Sequence, residues 1–365
     1  MLPMRAHLKD LVRVQNVAAS RQGHLRLDKN ENLVDLPEDV IEVLRDAITA
    51  EFVSAYPELD PLYERVARSI GQQRSNVFLV AGSDQAIKAS FEVFVDPGDT
   101  VVLLSPTYAM FPVYCGMFQA RRVDIRYPAS LRLTAEDVLR PIVDLKPKLA
   151  CIANPNSPTS TVLPHEALRE IVRTADRQGT VILIDEAYHH YYPQTVINMI
   201  RECRHLVVTR TFSKALGLAA ARVGFAAGHE QMIQALHRVR PMYEINAFGA
   251  KFAELILDRP WILESNVRAA CEGKAWLEAE LTRLGIRFVP SHANFMLIDA
   301  GGQERSKAIA QALQAKKILI GGGFEPPLDP FIRASIGPVE AMRRFLEAFA
   351  SEALAVPPVV EERQN

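Results

Sequence analysis

Short, continuously apolar runs alternate along the first two thirds of the chain with stretches of helical periodicity. The runs are Val77–Ala81, Thr100–Leu104, Leu149–Ala153, Val181–Ile184, Leu206–Thr209 and Val223–Ala227. Runs this short, with no polar face, predict strands covered on both sides in a largely parallel sheet. Between them, Asp84–Val95, Pro164–Arg177 and His229–Arg238 carry helical spacing, as crossover helices would. From about Ala247 the texture changes. A long helical stretch broken near Arg259–Pro260 runs to Leu284, followed by apolar runs at Ile286–Val289 and Asn294–Ile298, a helix over Glu304–Ala315, runs at Ile318–Ile320 and Phe331–Ser335, and a last helix from Pro338. The pattern predicts an α/β protein with a large domain over 38–246 and a smaller α+β domain over 247–365. The N-terminal residues 1–37 are expected to pack on the small domain or on a partner subunit, and the polar tail Pro357–Asn365 to be loose.

Composition narrows the function classes. The 365 residues carry 42 Lys+Arg against 43 Asp+Glu, so no global field favours nucleic acid or an anionic membrane. No apolar run approaches the ~20 residues that span a bilayer, and MLPMRAHLKDLVRVQ lacks the apolar core of a signal peptide. Cys115, Cys151, Cys203 and Cys271 form no CxxC, which predicts no zinc site and a reducing, cytoplasmic setting. Cys115 and Cys151, in apolar stretches, read as small buried hydrophobes.

Candidate chemistry gathers where strands of the predicted sheet end, the edge at which open α/β sheets bind ligands. Thr211-Phe212-Ser213-Lys214, with Arg222 eight residues on, places an amine beside hydroxyls and a guanidinium, a set suited to a Schiff base near a phosphate. Asp185-Glu186-Ala187-Tyr188 ends another strand. A carboxylate buried there needs a cation, either a protonated ring nitrogen or a metal. A Walker-type magnesium pair requires a GxxxxGK[ST] loop, and the chain has none. Gly82-Ser83-Asp84 opens a helix, where backbone N–H groups and the macrodipole favour an anion, though an ordinary N-cap accounts for the same letters. Tyr108 can stack on a flat ring or fill core. The rigid turn Asn154–Ser160 (NPNSPTS) is rich in polar side chains. The adjacent His189 and His190 diverge too much to share a metal and are given structural roles.

These runs resemble the fold-type I pyridoxal-phosphate enzymes, specifically the histidinol-phosphate aminotransferase family. LDKNEN (27–32), AYP (55–57), GSDQAI (82–87), DPGDTV (96–101), SPTYAMF (105–111), NPNSPT (154–159), DEAYHHY (185–191), TFSKALGLAAARVGF (211–225), SHANFML (291–297) and FIRASIG (331–337) keep the family's order and spacing. The resemblance implies an aspartate-aminotransferase-like fold, pyridoxal 5'-phosphate as cofactor, no metal, and exchange of an amino group between an amino acid and a 2-oxo acid. Decarboxylation or oxidation of an amino acid is the alternative on the same fold. It implies that Lys214 holds the cofactor and shuttles the proton, that Asp185 pairs with the pyridine nitrogen, that Tyr188 and Ser157 face the ring oxygen, and that Tyr108 stacks on the ring. Ser83, Asp84, Thr211, Ser213 and Arg222 surround the phosphate. Tyr56 reaches the phosphate of the other subunit of a homodimer. Arg333 and Asn156 meet the substrate.

Three departures from the family set the substrate expectation. Ser157 and Ser160 replace an Asn and a Gly. Gly321 stands where the family has an arginine for the substrate phosphate. Ala18–Gly23 lacks the family's Tyr and paired Arg, leaving Arg21, and more remotely Arg26, as replacements. Histidinol phosphate is therefore expected to be a poor donor. Glu244 is expected to face solvent, or else to receive a cationic substrate side chain.

Overall fold

A computed structural model describes residues 3–9, 11 and 20–355, with side chains to 353. The expectations for Pro357–Asn365 and for Ala18 and Ala19 lie outside the described residues. Eleven strands are present among them: β1 Leu25–Arg26, β2 Val77–Val80, β3 Thr100–Ser105, β4 Arg121–Arg126, β5 Leu149–Ala153, β6 Val181–Asp185, β7 Leu206–Thr211, β8 Gly224–Gly228, β9 Phe295–Asp299, β10 Ile318–Leu319 and β11 Phe331–Ser335. Seven form one sheet in the order β2-β8-β7-β6-β5-β3-β4. All its pairings are parallel except those of β8, which runs against both neighbours.

Side-chain alternation sends successive strand residues to opposite faces of the sheet. Val102, Leu104, Ile152, Ile182 and Ile184 enter one core, with the helices Asp60–Ser69 and His165–Arg177. Val101, Leu103, Cys151, Leu183 and Val207 enter the other, with the helix Ser83–Phe94. Both faces are covered, so β2, β5, β6 and β8 are buried at every position. Edge strand β4, Arg-Arg-Val-Asp-Ile-Arg, has no apolar run to betray it. Charge on an edge strand blocks pairing with other chains, and the same charge hid the strand from a reading based on apolar continuity.

A third core gathers Leu277, Leu281, Met296, Ile298, Ile332, Phe345 and Phe349, and Leu27 joins it. β1 pairs with β10 and Leu27 enters the third core, so residues 25–27 pack on this C-terminal layer as expected, whereas Ala6–Leu8 and Leu11 lie against the helix Met110–Met117 of the large unit. Pro260 starts the helix Pro260–Arg283 and separates it from Ala247–Leu257, because its ring cannot continue the preceding helix. The strand expected over Ile286–Val289 is only a bridge from Phe288 to Ile298. Pro290, which has no N–H to offer, ends the pairing.

Candidate active site

The strands that run together end on one edge of the sheet, and the expected site residues meet there. A cavity of about 540 Å³ is lined by Ser83, Asp84, Tyr108, Ser157, Asp185, Tyr188, Thr211, Ser213, Lys214, Arg222 and Arg333. Of the residues expected at the site, Tyr56 and Asn156 stand apart from this lining.

One end is an anion cradle. Gly82, at φ 84°, precedes the helix Ser83–Phe94, whose first N–H groups have no intrahelical acceptor. The ordinary capping explanation does not apply: Gly82, with no side chain, is the N-cap, and Ser83 and Asp84 are already helical. A Cβ on Gly82 would lie 2.3 Å from Arg222 Nη2, and one on Gly224 would lie 2.5 Å from the Ser83 nitrogen. Both glycines are needed for close approach. Arg222 Nη1 donates to Ser213 Oγ at 3.3 Å, from a backbone held at φ 54°. Such a conformation costs on the order of 1–3 kcal/mol in a non-glycine residue and persists where the surroundings impose it. Backbone N–H groups, hydroxyls and a guanidinium around one space match a phosphate ester.

Asp185 forms the floor. It pairs in register with Thr209 on β7, and Thr209 Oγ1 donates to its carboxylate at 2.8 Å. Burial pushes the Asp185 carboxyl up to about 6, opposed by the bonds from Thr209 and the Ala187 N–H and by the Lys214 charge. It is a buried acid still lacking a full cationic partner. Glu186 points to the other face, as strand geometry demands, and is consumed there by Arg210 at 2.8 Å, the Thr195 hydroxyl and the Val196 N–H. The acidic pair is thereby split, which removes the metal-binding reading of Asp185-Glu186. His189 and His190 lie near Arg210, and burial drives both down to about 3, so they are neutral.

Lys214 Nζ donates to the Lys29 carbonyl at 3.0 Å and sits 5.7 Å from the centre of the Tyr188 ring. The Tyr188 hydroxyl accepts from Asn30 Nδ2 at 2.8 Å. Tyr108 reaches Asp84 at 3.4 Å, and burial, then Asp84 and Asp185, raise its phenol so that it stays protonated. Arg333 donates from Nη2 to the Asp28 carbonyl at 2.7 Å, while its buried Nε has no partner. Burial lowers its affinity for a proton. A buried guanidinium that lines a cavity and keeps a donor unpaired is a site for a carboxylate.

Several expectations change. Asn156 is buried, donating to the Pro106 carbonyl (3.0 Å) and Thr159 Oγ1 (2.9 Å) and accepting from Thr107 Oγ1 (2.8 Å). Its amide has no donor left for a substrate; it fixes the turn that presents Ser157. Glu244 does not face solvent and does not line the cavity. It is 5% exposed and accepts from Tyr63 Oη at 2.6 Å, because the Tyr63 phenol would otherwise be buried without an acceptor. Arg21 pairs with Asp28 at 2.5 Å and Glu31 at 2.9 Å and does not line the cavity. Tyr56 is 74% exposed and stacks on Tyr243 at 4.0 Å.

Three further residues, Asn30, Thr209 and Phe324, belong to the site without being expected there. Asn30 lines the cavity, is buried at φ 55° and leaves its Oδ1 without a partner. The LDKNEN run was its signal. Thr209 and Phe324 carry no local signal at all.

Residues 23–349 match the family model for class I and II aminotransferases. The chain belongs to the class I and II aminotransferases. It is 32% identical over 276 residues to a histidinol-phosphate aminotransferase of Thermoanaerobacter pseudethanolicus, covering 75% of this chain and 78% of the relative. To the enzyme of that name from Sinorhizobium fredii it is 30% identical, over 90% of this chain and 88% of the relative. In fold it is similar to a histidinol-phosphate aminotransferase from Sinorhizobium meliloti solved with pyridoxal-5'-phosphate (TM-score 0.84, 24% identity, 91% and 92% of the two chains). It is also similar to a Thermus thermophilus aspartate aminotransferase (TM-score 0.78, 23% identity, 90% and 91%). This aminotransferase thus has the expected α/β fold type I architecture. Among the described residues, no helix is long and apolar enough to cross a membrane.

Proposed function

We propose that this aminotransferase works through Lys214, with Asp185, Tyr188, Tyr108, Ser157 and the Ser83–Asp84–Thr211–Ser213–Arg222 cradle holding pyridoxal 5'-phosphate, and with Arg333 holding the donor's carboxylate. The convergence of Lys214, Asp185 and the buried, incompletely paired guanidinium of Arg333 on one cavity carries this reading. Bound there, the cofactor supplies an electron sink for the pair left when a proton leaves the donor carbon. The chain supplies the rest. The amine of Lys214 takes and returns the proton at the donor's α carbon. Asp185, unable to ionise cheaply by itself, gains from meeting a cation and keeps a ring nitrogen protonated. Asn30 orients the Tyr188 phenol. The cycle moves an amino group between an amino acid and a 2-oxo acid.

The cofactor-binding unit of this reading is residues 38–246. The smaller unit that brings Arg333 is the remainder, taken as residues 1–37 and 247–365, of which 3–9, 11, 20–37 and 247–355 are described. The working particle is a cytoplasmic homodimer. Tyr56 and Tyr243, stacked on each other, and Met242, Phe248 and Val53 are exposed apolar side chains, and exposed apolar patches mark protein–protein contacts. The family resemblance assigns Tyr56 to the phosphate held by the neighbouring subunit. Sedimentation should give a dimer; a fully active monomer would rule this out. Free amino acids are the donors, and histidinol phosphate is a poor one.

Lys214→Ala should cut turnover by at least about 10⁴-fold, since one amine provides both covalent link and proton relay, while the far-ultraviolet circular dichroism stays unchanged. Turnover within tenfold of the parent would end the assignment.

A further inference from the structure

The segment facing Arg333 has a feature outside the catalytic reading. Gly321 and Arg333 exchange both backbone hydrogen bonds, at 2.9 and 2.8 Å. Gly321 has no side chain, and the ring of Phe324 takes the space. A Cβ on Gly321 would stand 3.1 Å from Phe324 Cζ, and the ring centre lies 6.0 Å from the Arg333 guanidinium carbon. The ring is fixed in place. The Phe324 carbonyl accepts from Gln303 Nε2 at 2.9 Å, the Gly323 N–H donates to Ser306 Oγ at 3.0 Å, and the side chain packs against the large core.

We infer that Phe324, seated on Gly321 beside Arg333, is the side-chain wall of the donor subsite, and that the preferred donor is an α-amino acid with a large uncharged side chain, aromatic or branched aliphatic. The inference rests on the reading of Arg333 as the carboxylate's partner. A donor held at Arg333 must run its side chain along the cavity wall, where Phe324, Ala109 and Pro158 are apolar. The charged groups lining the cavity have other work. In the catalytic reading Asp185 is taken by the ring nitrogen, and Asp84 lies in the anion cradle with Tyr108 donating to it at 3.4 Å, so neither is left for a cationic side chain. Arg222 belongs to the anion cradle. Lys29 lies at the rim and is exposed, where solvent screens its attraction for an acidic side chain.

The test compares kcat/KM of the holoenzyme for L-phenylalanine, L-leucine, L-alanine, L-aspartate and histidinol phosphate, with one 2-oxo acid as acceptor. L-phenylalanine and L-leucine should exceed L-aspartate and histidinol phosphate by at least about tenfold, the range in which an apolar pocket discriminates. Phe324→Ala should lower the value for L-phenylalanine by about 10–100-fold and that for L-alanine by less than about threefold, and Phe324→Leu should restore much of the loss. Binding is read separately on protein free of cofactor: hydrocinnamate should raise its melting temperature more than succinate does, and Phe324→Ala should remove the difference. L-aspartate or histidinol phosphate as the best donor would overturn the inference, as would an equal loss for every donor in Phe324→Ala. Hydrocinnamate protection that depends on Phe324 without turnover of any donor would uphold the wall and sink the catalytic reading instead.

Discussion

The two ends of the cavity are built differently. The cradle around Ser83 and Arg222 comes from the ends of neighbouring strands and one helix start, and its precision is backbone precision. Gly82 and Gly224 allow main chain and guanidinium to approach within distances no side chain would permit. The Arg333 end comes from segments 305 residues apart in sequence, Arg333 donating to the Asp28 carbonyl beside Ile332 and Leu27 of the third core, with selectivity left to one ring on a loop. Lys214 joins the two through the Lys29 carbonyl, next to Asp28. A cradle for a constant group tolerates little change, whereas a wall for a variable group can be rebuilt by one substitution. Rigid elements fix the chemistry and loops tune what reaches it.

The comparison breaks most visibly at Asp185. Asp185→Asn should reduce kcat by about 10²–10⁴-fold, because losing one side of a buried charge pair typically costs about 3–5 kcal/mol; unchanged steady-state rates would give Asp185 another role. The same substitution should act oppositely on protein free of cofactor. Burial raises the Asp185 carboxyl from its ordinary 3.8 to about 6, so the cost of ionising it grows between about pH 4 and 6, is full above that, and vanishes below about 3, where it is protonated both folded and unfolded. At pH 8 Asp185→Asn should melt higher by a few degrees, corresponding to about 1–3 kcal/mol, with the difference gone at about pH 3. A lower melting temperature at pH 8 would contradict the account of a strained, partner-seeking acid.

The two arginines sharpen it further. Arg222→Ala should weaken retention of the cofactor by about 10–100-fold, one charge-assisted contact being worth about 1.5–3 kcal/mol, and should leave the ranking of donors intact. Arg333→Ala should leave retention intact and reduce kcat/KM for every amino acid by a similar factor. Equilibrium dialysis alongside initial rates separates the two, and crossed effects would mean that the ends are not independent.

How much of this the sequence disclosed follows the same division. Strands buried on both faces announce themselves, and the residues closing them, Asp185, Thr211 and Ser105, sit at their ends, so the cradle and floor were legible. Thr209 supports Asp185 only through strand register, which no local pattern encodes. Phe324 acquires its position from a glycine three residues earlier and a strand pairing beyond it. Glu244 and Asn156 look available in a linear reading, but folding spends both on partners far away or inside a turn. Ser160 shows the same limit. It replaces the family's glycine at φ 61°, fully buried, and donates its hydroxyl to the Thr159 carbonyl at 2.6 Å. A left-handed serine costs about 1–2 kcal/mol, offset in part by a bond that glycine lacks.

Two lysines line the cavity, Lys214 and Lys29, and the account requires that only the first is linked to the cofactor. Borohydride reduction of the holoenzyme followed by peptide mapping decides between them. The account predicts a stable pyridoxyl modification on the peptide bearing Lys214 and none on Lys29. Modification of Lys29 with Lys214 unmodified, or a fully active enzyme in which neither carries the group, would contradict it.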